Sequence, residues 1–454
     1  MSAIAKILHE KHYIVGGSDI KESANTMRLK DLGVRVFIGH KGSQVRGADI
    51  VIVSSAIPKN NVEIIQAKAL RIPVIPRAEA LAWIMNNFNV RIGVAGTHGK
   101  TTTTSMISFL LDRCGSNPTF LIGGEANDVD GNAKLGNGEY VVAEADESDG
   151  SFLLLEPTVA VITNIEVDHL EHYGDIEKII EAFMQFAEKV PKHGAVIVNI
   201  DHPNNKILFE KLQHKNCITY GFDEEAAISA RNITFNKMGS EFEVFRDKRK
   251  IGKVNLAIPG KQNILNALAS LATGIFLGQD FTNLNRALRY FVGVRRRFEI
   301  LGTIGDIMVI DDYAHHPTEI KVTLEAVRLG WGRQKRIMCI FQPHRYTRTM
   351  YLNEEFKDAF EDAELVIITD VYSAGEDPIK GISGKLIADK LEKRKEREVR
   401  YIPKKEKIAD FIMSEIKSND VIVFAGAGDI HTVAKEVLAR LKEGGKFPPK
   451  APSA

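Results

Sequence analysis

The chain has 454 residues, with 60 basic and 59 acidic side chains and a formal net charge of +1. This balance argues against a nucleic-acid-binding protein, because such proteins usually carry an excess of basic residues. Hydrophobic residues make up 44% of the chain and charged residues 26%, as in ordinary globular proteins. Charges interrupt the N-terminal stretch, and no apolar run is long enough for a membrane helix. We therefore expect a soluble, cytoplasmic protein that does not insert into membranes.

Short apolar runs alternate with helical patterns along almost the whole chain. One series lies within the first 88 residues, a second comprises VRIGVAGT, YVVAEAD, VAVITNI and AVIVNID, and a third comprises IMVIDDYA, RIMCIFQPH, LVIITDVYS and VIVFAGAG. Uninterrupted Val and Ile runs are typical of strands buried on both faces of a parallel sheet, and their alternation with helices indicates βαβ units. The sequence therefore predicts three successive α/β domains.

Two short segments predict where these domains meet, NNFN at Asn86–Asn89 and VGVRRR at Val292–Arg297. They give domains over residues 1–88, 89–294 and 295–442. A tail over residues 443–454, rich in Gly, Pro and Lys, is expected to be disordered. Between Ser229 and Val254 apolar and polar residues alternate, which predicts a small antiparallel flap in the second domain.

The sequence GTHGKTTT at 96–103 lies between the predicted strand VRIGVA and a predicted helix. A glycine-rich turn in this position points backbone N–H groups at phosphate oxygens, and the helix N-terminus adds its positive end. Lys100 is expected to reach the β- and γ-phosphates, and the Thr101 hydroxyl to contact Mg²⁺. The pattern predicts a nucleoside triphosphate site. The residues expected to contact the nucleotide are Gly96, Thr97, His98, Gly99, Lys100, Thr101 and Thr102.

Polar clusters follow several other predicted strands, namely EADESD at 144–149, NIEVDH at 164–169, DDYAHHP at 311–317 and FQPHRYTR at 341–348. Open α/β sheets place their ligands at the carboxyl ends of the strands. A P-loop kinase that acts on a small acid would explain the phosphate loop but not these clusters. It stays an alternative.

Taken together, these motifs resemble the Mur ligase family, the ATP-dependent amide-bond ligases of peptidoglycan synthesis. The resemblance covers nearly the whole chain and extends to GKQNILNA, GVRRRFE, GISG and FAGAGD. It implies a Rossmann-like N-terminal domain that binds UDP and a central P-loop ATPase domain. It also implies a Rossmann-like C-terminal domain that brings the amino acid and closes over ATP. We expect a monomer or a dimer.

Within the family, DDYAHHP together with FQPHRYTRT favours one activity. This is the joining of L-alanine to the lactyl carboxylate of UDP-N-acetylmuramate, through an acyl phosphate formed from ATP. Attachment of a recycled murein tripeptide to the same nucleotide sugar is an alternative, and so is a homologue that binds ATP without ligation.

The resemblance also implies the residues that handle ATP and its metal ions. The metal is Mg²⁺, with Mn²⁺ as an alternative, and its ligands are Thr101, Glu144 and His169. Residues besides the loop that approach ATP are Asn263, Asn266, Arg297 and Asp312. The groups implied in catalysis are Lys100, His169, His315 and Arg345.

The remaining implied positions bind the acceptor and donor substrates. Four residues resemble the family's pocket for L-alanine, namely Tyr313, His315, Arg345 and Arg348. The residues expected to line the muramyl site are Asp146, Glu147 and Ser148. Those expected to contact uridine and its phosphates are Ser18, Asp19, Ser54 and Ser55.

The chain opens with a helical pattern, and its first predicted strand begins only near His12. A doubly wound domain opens with a strand, a glycine-rich turn and a helix. The family carries the turn G-x-G-G-x-G-M-S there, and its final Met-Ser aligns with Met1-Ser2. We therefore expect about 15 to 20 residues of strand and turn to be absent, and UDP-N-acetylmuramate to bind weakly while ATP binds normally.

Overall fold

The computed structural model describes residues 1–124, 131–237 and 239–444. Contacts divide the chain into two compact units. One consists of Met1–Asn232, Glu243–Val254 and Leu265–Phe291, and the other of Ile233–Phe242, Asn255–Ile264 and the chain from Val292 onward. Within the described ranges, no helix combines the length and the apolar character that crossing a membrane requires.

Residues 1–88 form four helices and two separate two-stranded parallel sheets, β1 with β2 and β3 with β4. The elements are α1 (Ser2–Glu10), β1 (Gly16–Asp19), α2 (Ala24–Asp31), β2 (Arg35–Ile38), β3 (Val51–Val53), α3 (Val62–Ala69), β4 (Val74–Pro76) and α4 (Arg77–Met85). The first strand begins at Gly16 rather than near His12, because the backbone N–H groups of His12 and Tyr13 bond back to α1.

A ten-stranded sheet occupies the middle of the chain. Its strands and their helices are β5 (Val90–Ala95), α5 (Lys100–Arg113), β6 (Thr119–Leu121), β7 (Ala133–Lys134), β8 (Tyr140–Glu144), β9 (Val159–Ile162), α6 (Leu170–Tyr173), α7 (Ile176–Glu188), β10 (Ala195–Asn199), α8 (Pro203–Lys211), β11 (Cys217–Gly221), β12 (Ile228–Asn236), β13 (Gly239–Arg246), β14 (Arg249–Leu256), α9 (Lys261–Phe276) and α10 (Phe281–Leu288). The strand order is β14-β13-β12-β11-β10-β9-β5-β8-β6-β7. Strand β5 is parallel to both of its neighbours, β8 and β9, so their carboxyl ends meet at one edge.

The alternating segment after Ser229 forms strands as predicted, and these strands belong to the ten-stranded sheet. Strands β12, β13 and β14 continue the large sheet, joined to it through a parallel pairing of β11 with β12 that involves Tyr220 with Ile228 and Gly221 with Ser229. Alternating apolar residues are buried on one side only, which is what a sheet extension with one covered face requires.

The last part of the described chain forms a six-stranded sheet in the order β15-β16-β20-β17-β18-β19. The elements are β15 (Glu299–Ile304), β16 (Ile307–Asp312), α11 (Pro317–Trp331), β17 (Arg336–Phe341), α12 (Tyr346–Tyr351), β18 (Leu365–Ile368), α13 (Gly384–Arg394), β19 (Glu398–Tyr401), α14 (Ile408–Glu415), β20 (Asp420–Ala425) and α15 (His431–Glu443). Only the first pair, β15 with β16, is antiparallel. Helix α15 ends at Glu443, the first residue of the predicted tail, and residues 445–454 lie outside the described residues.

The six-stranded sheet is buried on both faces, which explains its unbroken apolar runs. Along β16, Met308 and Ile310 belong to one apolar cluster, whereas Ile307 and Val309 belong to the other. Successive side chains of a strand point to opposite faces, so both faces need apolar residues when helices cover both. The α/β class predicted from the sequence is therefore confirmed.

A buried ion pair joins two strands of this sheet. Arg336 and Asp420 lie opposite each other in the register of β17 and β20, with Nε to Oδ1 2.8 Å and Nη2 to Oδ2 2.6 Å. The Asp420 side chain is 0% exposed and that of Arg336 22%. Two parallel charge-assisted hydrogen bonds fix the geometry of the pair.

We expect Asp420→Asn to lower the free energy of unfolding by about 3 kcal/mol, because it leaves the guanidinium half-buried beside a neutral amide. Urea unfolding followed by circular dichroism measures the loss. The matched control is Asp410→Asn, which breaks the exposed pair of Asp410 with Arg440 and should cost far less. Equal losses of unfolding free energy in the two variants would contradict a larger contribution of the buried pair to stability.

Candidate active site

The phosphate loop connects β5 to α5, as the sequence predicts, and two of its glycines are required by its shape. Gly96 has φ 139° and Gly99 has φ 81°, both in the region that favours glycine. A Cβ on Gly96 would lie 1.9 Å from Thr163 Oγ1. Any larger residue at position 96 would therefore push the loop away from the segment that follows β9.

That segment holds the loop in place through side-chain hydrogen bonds. Asn164 Oδ1 accepts from the His98 N–H at 2.8 Å, and Asn164 Nδ2 donates to the His98 carbonyl at 3.1 Å. Thr163 Oγ1 donates to the same carbonyl at 2.6 Å. Sequence reasoning selected only His169 from this motif and missed Thr163 and Asn164, although their position directly after a buried strand was a usable signal.

Lys100 lies at the first position of α5, and its ammonium is enclosed by acceptors. Its Nζ donates to the carbonyls of Gly96 at 2.6 Å and Thr97 at 3.2 Å, and to Glu147 Oε1 at 2.8 Å. Burial by itself would lower the pKa of Lys100, but the carboxylates around it, chiefly Glu147, outweigh burial and raise that pKa. The ammonium is therefore charged, as binding of a phosphate requires.

Two of the three predicted metal ligands are in direct contact. Thr101 Oγ1 donates to Glu144 Oε2 at 2.9 Å, and the same oxygen accepts from the Gly123 N–H at 3.0 Å. Glu144 ends β8 and Thr101 follows the loop after β5, so the neighbouring strands bring them together. A hydroxyl and a carboxylate are the hard oxygen donors that Mg²⁺ prefers, so these residues fit the predicted ion.

His169, the third predicted ligand, follows β9 and has a left-handed backbone with φ 54°. Its ring lies between two carboxylates, with Nε2 3.5 Å from Asp168 Oδ2 and Nδ1 3.5 Å from Glu171 Oε1. A non-glycine residue in this conformation costs free energy, which is a frequent property of functional sites. The hydrogen bond from His169 lowers the pKa of Glu171.

The predicted asparagines of α9 make different contacts. Asn266 Oδ1 accepts from Thr103 Oγ1 at 3.2 Å in a buried position, which fastens α9 to the helix of the phosphate loop. Asn263 Nδ2 donates to the Pro259 carbonyl at 2.7 Å.

Next to the C-terminal sheet, two neighbouring arginines stack on one aromatic ring. The guanidinium carbons of Arg296 and Arg297 lie 5.0 Å and 4.9 Å from the centre of the Tyr313 ring. Arg296 is also bonded to the Gly426 carbonyl at 2.6 Å, whereas Arg297 Nη1 lies 3.6 Å from Glu319 Oε1. The predicted residue Arg297 thus lies beside the predicted residue Tyr313.

Asp312, predicted to contact the ribose of ATP, has a buried carboxylate with several internal donors. It accepts from the N–H groups of Phe298 at 2.9 Å and Ala314 at 2.8 Å, and from Thr323 Oγ1 at 3.0 Å. Burial raises the pKa of Asp312, while Arg297 and these donors oppose the rise. In this structure its carboxylate holds the DDYAHHP turn, and a contact with ribose stays a prediction.

Contacts connect His344 to three of the residues predicted for L-alanine, namely Tyr313, His315 and Arg348. The His315 ring lies 5.5 Å from the Tyr313 ring and 5.7 Å from the His344 ring. Arg348 Nη1 lies 3.2 Å from His344 Nδ1. Arg345 has φ 68°, and its N–H bonds to the Tyr372 carbonyl at 2.9 Å. Sequence reasoning missed His344 although it lies inside the FQPHRYTR motif.

The residues predicted for the muramyl group follow Glu144 in a tight turn. Asp146 Oδ1 accepts from the Ser148 N–H at 3.1 Å, and Asp146 Oδ2 lies 3.6 Å from Arg77 Nη2. Glu147 is turned toward Lys100. Arg77, at the first position of α4, is a further cation that sequence reasoning missed.

The residues predicted for uridine lie at the ends of β1 and β3. Ser18 Oγ donates to Glu63 Oε2 at 2.7 Å and lies 2.9 Å from His40 Nδ1. Asp19 and Ser55 are exposed. Ser54 Oγ accepts a hydrogen bond from the Ala56 N–H at 3.3 Å. The position at carboxyl ends of parallel strands is the one that ligands of α/β sheets occupy.

The fold defines an α/β protein whose β5–α5 loop has the form predicted for a phosphate loop. Three family descriptions match the chain: "Mur ligase family, catalytic domain" over residues 1–89, "Mur ligase middle domain" over residues 94–274, and "Mur ligase, glutamate ligase domain" over residues 296–428. The chain belongs to the Mur ligase family. The predicted three-domain α/β architecture is thereby confirmed, while the boundaries after residues 88 and 294 stay predictions.

Relatives and solved structures agree with this membership. The chain is 45% identical to the UDP-N-acetylmuramate–L-alanine ligase of Pelotomaculum thermopropionicum, over 98% of this chain and 96% of the relative. It is 46% identical to that of Dictyoglomus turgidum, over 97% and 94%. The crystal structure of UDP-N-acetylmuramate–alanine ligase from Thermotoga maritima superimposes with a TM-score of 0.84 at 30% identity, covering 98% and 97%. A murein peptide ligase from Psychrobacter arcticus shares the fold, with a TM-score of 0.71 at 24% identity over 99% and 97% of the chains.

Asp311, which directly precedes Asp312, makes the stability of the protein depend on pH. Burial raises the pKa of Asp311 to about 6, although Arg296, whose Nε lies 3.4 Å from Oδ2, opposes the rise. The folded protein therefore favours the protonated carboxyl, and this contribution to stability is lost as pH rises through about 6.

We expect Asp311→Asn to remove this dependence, because an amide does not ionise. Between pH 4 and pH 8 the free energy of unfolding of the variant, relative to that of the wild type, should increase by about 3 kcal/mol. Urea unfolding of both proteins at a series of pH values measures the difference. A difference that stays constant across this range would contradict the raised pKa.

Proposed function

We propose that the protein joins L-alanine to the lactyl carboxylate of UDP-N-acetylmuramate and converts ATP to ADP and phosphate. The product, UDP-N-acetylmuramoyl-L-alanine, is an intermediate of peptidoglycan synthesis. Relatives that carry this activity in their names include one that is 45% identical over 98% of the chain, and this similarity carries the choice of substrates. The charged Lys100 and the Thr101–Glu144 contact at the start of α5 support the use of ATP.

The first half of the reaction is activation of the carboxylate. The lactyl carboxylate attacks the γ-phosphorus, the bond to the bridging oxygen breaks, and ADP leaves. Two anions must approach each other, so positive charge around the γ-phosphate lowers the barrier. Lys100 supplies one such charge, and the loop N–H groups and the α5 N-terminus add partial charges.

Thr101, Glu144 and His169 are the residues that would hold Mg²⁺, with Mn²⁺ as an alternative. When bound, the ion offsets negative charge on the phosphate oxygens. The described contact between Thr101 and Glu144 supports the oxygen part of this set.

The second half of the reaction is attack by the amine of L-alanine on the acyl phosphate. The carbon–nitrogen bond forms, phosphate leaves, and the amine gives up a proton. His315 is the proposed acceptor, because its Nδ1 lies 2.9 Å from the Tyr313 carbonyl and is fixed there as the protonated nitrogen, which makes Nε2 the basic one. Arg345 and Arg348 are proposed to hold the alanine carboxylate, since guanidinium groups bind carboxylates through two parallel hydrogen bonds.

Other residues complete the proposed division of labour. The proposed UDP-binding domain covers residues 1–88, and the proposed ATP-binding domain covers residues 89–294. The proposed third domain, which binds the amino acid and closes over ATP, covers residues 295–442. The ATP contacts outside the phosphate loop are Asn263, Asn266, Arg297 and Asp312. The substrate contacts in the first two domains are Ser18, Asp19, Ser54, Ser55, Asp146, Glu147 and Ser148. We place the protein in the cytoplasm, as a monomer or a dimer.

Phosphate release tests the proposed reaction. It should require ATP, UDP-N-acetylmuramate and L-alanine together, and an amide product should appear in equal amount. Replacing L-alanine by the murein tripeptide tests the main alternative. Turnover with the tripeptide but not with L-alanine would overturn the proposal.

Lys100→Met should lower this turnover by at least about 100-fold, because the variant loses the charge that faces the γ-phosphate. The same phosphate-release assay measures the effect. Lys178→Met, at an exposed lysine of α7, is the matched control and should retain the activity of the wild type. Near-normal activity of Lys100→Met would exclude this loop as the ATP site.

Arg345→Ala should raise KM for L-alanine by about 10- to 100-fold, the effect of losing a charge-assisted pair of hydrogen bonds. KM for ATP should change little, and Arg345→Lys should recover part of the affinity. Initial rates at varied concentrations of each substrate separate the two constants. An equal rise in both KM values would remove Arg345 from the alanine pocket.

A further inference from the structure

The contacts of Lys100 limit how a phosphate can reach it. An ammonium has three N–H donors. The Gly96 carbonyl, the Thr97 carbonyl and the Glu147 carboxylate take up all of them, at 2.6, 3.2 and 2.8 Å. A γ-phosphate that binds Lys100 must therefore displace one of these acceptors.

The two carbonyls are not easily displaced, because they belong to a loop that is held from several sides. The His98 carbonyl in this loop accepts hydrogen bonds from Thr163 and Asn164, and Gly96 packs so closely against Thr163 that a Cβ would not fit. Moving either carbonyl away from Lys100 requires a change in the backbone that these contacts hold in place. The loop carbonyls therefore stay with Lys100 when a phosphate binds.

Glu147 differs, because only the end of its side chain contacts Lys100. Its backbone is fixed by the Tyr173 hydroxyl, which donates to the Glu147 carbonyl at 2.5 Å. A rotation about its side-chain bonds would withdraw the carboxylate without moving the backbone. That carboxyl group is 4% exposed, so after withdrawal it stays near the site. Burial raises the pKa of Glu147 while Lys100 opposes the rise, and the ionised form repels a bound triphosphate.

We propose that Glu147 is a positioning residue that holds the Lys100 ammonium and competes with the triphosphate for it. Entry of ATP exchanges the Glu147 carboxylate for a phosphate oxygen on Lys100. Return of the carboxylate to Lys100 favours departure of ADP. This inference rests on the proposed function, because it requires ATP as the ligand of the loop, and it gives Glu147 a role besides its predicted place in the muramyl site.

Glu147→Gln tests the competition, because glutamine keeps the shape and an acceptor for Lys100 but not the charge. We expect Kd for ATP and for ADP, measured by isothermal titration calorimetry with Mg²⁺ present, to fall by about three-fold or more. In turnover, KM for ATP and kcat should fall together, because product release slows. A residue with a merely structural role would instead weaken ATP binding when replaced.

Glu156→Gln is the matched control, at an exposed glutamate of the same unit, and should bind ATP like the wild type. Tyr173→Phe is a second variant for the case in which Glu147→Gln does not fold. It removes the hydrogen bond to the Glu147 carbonyl and so loosens the backbone of Glu147. ATP binding should also become tighter, by a smaller factor. Unchanged or weaker ATP binding by the folded variant would overturn the role of Glu147. Failure of the wild type to bind ATP would instead overturn the proposed function.

Discussion

The order β9-β5-β8 in the ten-stranded sheet is the constraint on which the candidate site depends. These strands are parallel neighbours, so the segments that follow them all leave the sheet at one edge. The phosphate loop follows β5, the Thr163–Asn164 pair follows β9, and Glu144 ends β8. Residues that are far apart in sequence therefore share hydrogen bonds, and the loop has a defined shape because its two neighbours hold it.

The candidate site also contains a buried charge. The ammonium of Lys100 is removed from water and is stabilised by nearby carboxylates, chiefly Glu147. The same carboxylates face the place where the proposed reaction brings a triphosphate, so pairing that stabilises Lys100 also opposes the ligand. An arrangement of this kind limits affinity for substrate and product alike, which suits an enzyme that must release ADP.

Beside the C-terminal sheet, local backbone strain occurs at the predicted substrate residue Arg345 and at the two neighbours of the predicted residue Arg297. Arg296, Phe298 and Arg345 all have positive φ values without being glycine. Such residues persist where surrounding contacts compensate for the strain, and the carbonyls of Gly426 and Tyr372 provide contacts of this kind. Arg296 stacks on Tyr313, and the Tyr313, His315 and His344 rings lie near one another, so these contacts support the proposed pocket for a small amino acid.

The sequence by itself determined the α/β class, the strands of all three series, the phosphate loop and the family. Those features rest on local patterns: unbroken Val and Ile runs, a glycine-rich turn between a strand and a helix, and motifs that directly follow strands. Only the tertiary structure decided that Glu147 bonds to Lys100, that Asn164 holds the loop, that Asp312 binds internal donors, and that the alternating strands extend the large sheet. Which acceptor a buried donor finds depends on which strands become neighbours, and strand order is a property of long-range packing that no local pattern specifies.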